Sequence, residues 1–140
     1  MNIARTQYRK KSILWANRLA LFTVFFWFGF LKIWGKSPAE QIVTKLHQLT
    51  IAPLVSIQQF IPLLGILECL IGIAWLFPRF TKIAFFLFCC QMATTFLPLL
   101  LMPNETWQCC FALSLSGQYI VKNVVLIASA YTIYRTEDWR

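Results

Sequence analysis

Residues 63–77 read LLGILECLIGIAWLF, an apolar run carrying a single carboxylate, Glu68, between Gly65 and Gly72. The ten residues before this run are uncharged, and Arg79 is the first charge after it. An ionised carboxylate in hydrocarbon costs at least ~2.5 kcal/mol on insertion scales, so it turns toward the interior of a bundle and marks a functional position. Gly65, Glu68 and Gly72 stand at i, i+3 and i+7, on one helix face, where glycines let a neighbouring helix approach closely. The stretch reads as a membrane-spanning helix whose inward face holds a polar site.

The rest of the chain agrees in composition. Of its 140 residues 59% are hydrophobic and only 13% charged, which fits an integral membrane protein and excludes a basic soluble domain. The net charge of +8 does not read as nucleic-acid binding, because the basic residues lie outside the apolar runs, where they set membrane orientation. At ~20 residues per crossing there is room for about four spans. The expected fold is all-α: a transmembrane four-helix bundle in a single domain covering 1–140, with spans at about 14–33, 57–77, 80–102 and 118–134. The basic start followed by an apolar stretch resembles a signal peptide, but that stretch runs on too long and ends in no small-residue cleavage site, so it reads as a retained span.

Ala39 to Leu49 carries Ile42, Val43, Leu46 and Leu49 at the spacing of a short amphipathic helix, with Ser37-Pro38 as its start signal. It is expected to lie along the surface in the first extracytoplasmic loop. Pro78-Arg79 separates the second and third spans by so few residues that the two must form an antiparallel hairpin. Pro98, inside the third span, predicts a kink. Orientation follows from Lys and Arg: Arg5, Arg9, Lys10, Lys11, Arg18, Arg79, Lys82, Arg135 and Arg140 fall on one side, and the opposite loops hold only Lys36 and Lys45. The positive-inside rule then places both termini in the cytoplasm of a cell whose inner membrane holds the chain.

Each span has a polar or small-residue face: Arg18, Phe25, Gly29 and Lys32 in the first; Gly65, Glu68 and Gly72 in the second; Gln91, Thr94, Thr95 and Pro98 in the third; Gln118, Lys122 and Ser129 in the fourth. Taken singly, Gln91, Thr94, Thr95 and Ser129 read as interhelical hydrogen bonds, each worth ~0.6 kcal/mol. Glu68 and Lys122 read as a pair, since opposite charges at membrane depth are costly unless matched and a long lysine spans the offset between them. Arg18 is the competing partner, placed to snorkel to the cytoplasmic interface. Such a cluster can bind the polar head of a quinone-like ligand, carry a proton, or lock the bundle. Cys69, Cys89 and Cys90 read as small hydrophobes. Cys109 and Cys110, on the outer side, leave open a disulfide to a partner or a reactive thiol. His47 alone is a weak metal candidate, no metal site is expected, and no catalytic motif is present.

Four stretches carry a family resemblance: FFWFGFLKIW around Gly29 and Lys32, GILECLIG around Glu68, TTFLPLLLMPNETW at 94–107, and GQYIVKN at 117–123. In order and spacing they resemble the DoxX-like superfamily of small four-helix membrane proteins, and within it the DUF417 (YkgB-type) branch. The resemblance implies a cytoplasmic-membrane bundle and singles out Gly29, Lys32, Glu68, Gln118, Lys122 and Asn123. Superfamily members are linked to quinone-coupled sulfur oxidation and to oxidative or reactive-chlorine stress. Taken with the polar faces of the spans, which add Gln91, the expected ligand-binding set is Glu68, Lys122, Gln118, Asn123, Lys32 and Gln91. The expected role is an accessory subunit or quinone-like ligand binder in a redox or stress system, non-enzymatic by itself. It would sit in the lipid bilayer, with a membrane or redox partner protein or as a homo-oligomer. A small-solute or proton-coupled transporter and a structural anchor are the alternatives.

Overall fold

The computed structural model describes residues 2–137, with side chains from residue 7 onward. Arg140 and the side chain of Arg5, both counted above for orientation, lie outside the described residues, as does the end of the polar tail. The chain is mostly helical: α1 (Asn2–Ile33), α2 (Glu40–Thr50), α3 (Ile57–Trp75), a 3-10 turn at Pro78–Phe80, α4 (Thr81–Leu101), a short α5 (Pro103–Thr106), and α6 (Leu115–Glu137). A two-stranded antiparallel hairpin, β1 (Trp107–Cys109) and β2 (Ala112–Leu113), lies between α5 and α6. Nothing in the sequence had signalled it, because no Gly, Pro or Asn marks the turn. Phe111 instead takes the left-handed conformation, at φ 61°.

Three helices are long and apolar enough to cross a membrane: Gln7–Ile33, Ile57–Trp75 and Pro78–Leu101, the last including the 3-10 turn. Their outer surfaces carry Trp27, Phe28, Leu63, Leu70, Ile83 and Phe86, all exposed. A molecule in water rarely leaves so much apolar surface bare, whereas hydrocarbon is its natural solvent. This is a membrane protein. α6 is 23 residues long but is more polar, carrying Gln118, Lys122, Asn123 and Ser129.

The packing of the long helices starts from glycine. α1 packs most extensively on α3, and α4 on α6; α1 also touches α6, and α3 touches α4. A Cβ on Gly29 would fall 2.6 Å from the Gly65 carbonyl oxygen, and one on Gly65 would fall 2.6 Å from the Gly29 oxygen. A Cβ on Gly72 would meet the backbone of Phe22 and Phe26. The antiparallel α1 and α3 are thus in backbone contact along three glycines, the approach that small residues permit in membranes. Below this seam the core is built from Leu21, Phe25, Ile71, Trp75, Ala84, Phe88, Ala130 and Ile133. Trp75 meets the Phe88 ring edge-on at 6.0 Å, and Phe85 stacks on Tyr134 at 4.4 Å.

The helix ends follow local chemistry. α1 stops where Gly35 turns left-handed at φ 65° and Lys36 N donates to the Leu31 carbonyl, a glycine C-terminal cap. α2 begins one residue later than its apolar spacing suggested, and the Ser37 hydroxyl accepts from Ala39 N just ahead of it. His47 turns inward from α2, buried, bonded to the Val55 carbonyl and packed on Phe60. α4 continues through Pro98 to Leu101.

Candidate functional site

Lys32 belongs to the last turn of α1, and Gly65 leaves room beside it: a Cβ at Gly65 would lie 3.0 Å from the Lys32 Cβ. The lysine stem therefore crosses α3 at its glycine, and the ammonium arrives one turn further on. There Lys32 Nζ donates to Glu68 Oε2 at 2.6 Å. From α4, Gln91 Nε2 donates to the other carboxylate oxygen, Oε1, at 3.0 Å. Lys32, Glu68 and Gln91 are 6%, 8% and 8% exposed. One carboxylate thus ties three helices together in a buried position.

The pairing of Glu68 with Lys122 is corrected: the partner is Lys32. Lys122 is exposed on α6, its Nζ 5.0 Å from the centre of the Tyr119 ring. At 100° per residue it stands on the far side of α6 from buried Ile120. Of the six sequence-nominated residues, the fold brings together Lys32, Glu68 and Gln91. Gln118 is exposed, its amide donating to the Leu113 carbonyl at 3.4 Å, and Asn123 is half-buried on α6. Thr94 and Thr95 do not bond between helices either; both hydroxyls donate to the Gln91 carbonyl of their own helix. Ser129 does reach across, donating to Asn17 Oδ1 at 2.7 Å.

Arg18 is also placed differently from its expectation. It does not snorkel outward; it is 1% exposed. Its Nη1 donates to the Trp75 carbonyl at 2.5 Å, and its Nη2 donates to Thr81 Oγ1 and lies 2.6 Å from Glu137 Oε1. Thr81 Oγ1 lies 2.5 Å from Glu137 Oε2. This second cluster joins α1, the end of α3, the start of α4 and the end of α6. Sequence reasoning missed Glu137 because it stands in the polar tail, where a carboxylate reads as solvated.

The thiols are spread out. Cys69 Sγ lies 3.6 Å from the Phe26 carbonyl on the glycine seam. Cys89 and Cys90 are exposed along α4, and Cys109 and Cys110 are exposed on the hairpin. Among the described residues no three of His, Cys, Asp and Glu come together to hold a metal. At the other end of the helices Lys45 and Glu105 pair at 2.5 Å, both about half exposed, a surface contact of little energetic weight.

Compared with known proteins, the chain matches no family model, no curated protein and no solved structure.

Chemically, the central cluster offers donors and a proton acceptor side by side. An ammonium has three donors, of which one goes to Glu68 among the described residues, and the second amide hydrogen of Gln91 adds another. These can meet a carbonyl oxygen, while the carboxylate can accept from a hydroxyl.

Proposed function

We propose that this chain is a multi-pass inner-membrane protein of the DoxX-like kind that binds a small, polar-headed, quinone-like ligand at Lys32, Glu68 and Gln91. In this reading α1, α3, α4 and α6 are the four spans of a bundle, α2 rests on the outer surface, and both termini face the cytoplasm. The protein serves as an accessory subunit in a redox or oxidative-stress system, working beside a membrane or redox partner.

The observation that carries the reading is the Lys32–Glu68 pair, buried and closed by Gln91. A buried ion pair is weak evidence for stability, since well-packed apolar side chains of similar volume serve as well or better. In a membrane protein its desolvation cost points to use. A quinone head matches the cluster in kind: two carbonyl acceptors, becoming hydroxyl donors when reduced.

The test is thermal unfolding of the detergent-solubilised chain with and without short-chain ubiquinone and menaquinone analogues. A saturable rise in midpoint that is lost in Gln91→Leu, which strands no charge, supports the reading. Equal midpoints with and without quinone would leave only a structural lock.

A further inference from the structure

A cleft of about 230 Å3 opens at the end of the molecule that carries the N-terminus, lined by Lys11, Leu14, Trp15, Arg18, Pro78 and Glu137. Lys11, Trp15 and Arg18 stand at i, i+4 and i+7 on α1, so one helix face presents two cations with an indole between them. Arg18 is fixed by its bonds to Trp75, Thr81 and Glu137. Both Glu137 oxygens are engaged, one by Arg18 and one by Thr81, so the charge of that carboxylate is already matched. Lys11 is exposed and no contact within the chain satisfies it among the described residues. Among the described residues the cleft therefore presents one unmatched positive charge, Lys11, beside an apolar wall of Leu14, Trp15 and Pro78.

We infer that this cleft holds the phosphate of an anionic phospholipid, with Lys11 at the phosphate and Leu14, Trp15 and Pro78 against the first part of the acyl chains. The apolar wall selects a lipid over free phosphate, and the half-exposed Trp15 is the residue type that settles at the headgroup level. The inference rests on the membrane reading but not on the quinone-like ligand, whose cluster lies elsewhere along α1.

The experiment is lipid titration of the purified full chain in neutral detergent, read by the thermal midpoint. The probes are dioleoylphosphatidylglycerol, dioleoylphosphatidylcholine and inorganic phosphate. Phosphatidylglycerol should raise the midpoint saturably, and the other two should not. Lys11→Gln should weaken the phosphatidylglycerol effect roughly tenfold, the loss of one charge-assisted hydrogen bond. Lys10→Gln removes the same charge from a neighbouring face and should leave the affinity within about twofold. Equal losses in the two variants would reduce the effect to general attraction and overturn the site. An equal rise with inorganic phosphate would overturn the lipid assignment. Quinone binding should be unchanged in Lys11→Gln, so failure of either reading is visible separately.

Discussion

Lys32 and Glu68 stand on opposite sides of the contact where Gly29 and Gly65 touch backbone to backbone, and the lysine stem, passing beside Gly65, bridges the offset between them. The contact and the ion pair are one arrangement: the seam fixes how far apart the helices lie, and that distance sets the reach of the lysine. Variants at the pair and at the seam should therefore fail together.

Removing one charge should cost more than removing both. Lys32→Met or Glu68→Gln leaves a buried group without its partner, at ~3–5 kcal/mol for an uncompensated charge. The double variant should recover most of that loss. Lys122→Met should cost less than ~0.5 kcal/mol, as exposed substitutions do, and should show no coupling to position 68. Unfolding curves in detergent for the singles and doubles measure each of these quantities.

The seam itself admits no methyl group. Gly29→Ala and Gly65→Ala each push a Cβ to within 2.6 Å of a carbonyl oxygen, and should destabilise by about 1–3 kcal/mol through overpacking. Gly35→Ala meets nothing within 4 Å but sits at φ 65°, so its penalty should be smaller, about 1 kcal/mol of backbone strain. Denaturation midpoints for the three alanine variants should rank in that order.

Arg18 cannot be replaced by lysine. A guanidinium serves the Trp75 carbonyl, Thr81 and Glu137 at once from a planar fork, and a single ammonium cannot match that geometry. Arg18→Lys should unfold at a clearly lower temperature than the parent chain, by roughly 1–3 kcal/mol for buried acceptors left without donors. An unchanged midpoint would show that the cluster is dispensable.

Topology is checked by thiol labelling of spheroplasts in a background without native cysteines. Cysteines introduced at Lys45 and Asn104 should react with an impermeant reagent added outside. Those at Lys82 and Glu137 should react only after lysis. Outside labelling at position 82 would invert the orientation.

The parts of the fold readable from the sequence were those governed by a period. The polar face of α1, with Arg18, Phe25, Gly29 and Lys32, is buried as its spacing indicated, and so is the Gly65, Glu68, Gly72 face of α3. The partner of Glu68 was not readable from depth and reach alone, because both Lys32 and Lys122 satisfy those criteria. The signal that separates them is the pair of glycines, Gly29 and Gly65, whose backbone contact sets Lys32 beside Gly65 and brings Glu68 within reach of its stem, and that contact becomes visible only when the two helices are set face to face. On α6 Gln118 and Lys122 turn outward while Ser129 reaches Asn17 of α1; the buried face is marked by Gly117, Ile120, Ala130 and Ile133, too apolar to stand out against its neighbours. Glu137 stayed hidden because its partner lies 119 positions away, at Arg18.

The Lys32–Glu68 contact spans 36 positions of sequence, and a ribosome adding about 5–20 residues per second leaves a gap of seconds between them. During that interval the Lys32 ammonium has no Glu68 carboxylate to receive it. Because Lys32 sits in the last turn of α1, its head can stay among the lipid phosphates until α3 arrives. The pair, and the closing of Lys32 past Gly65, therefore await α3.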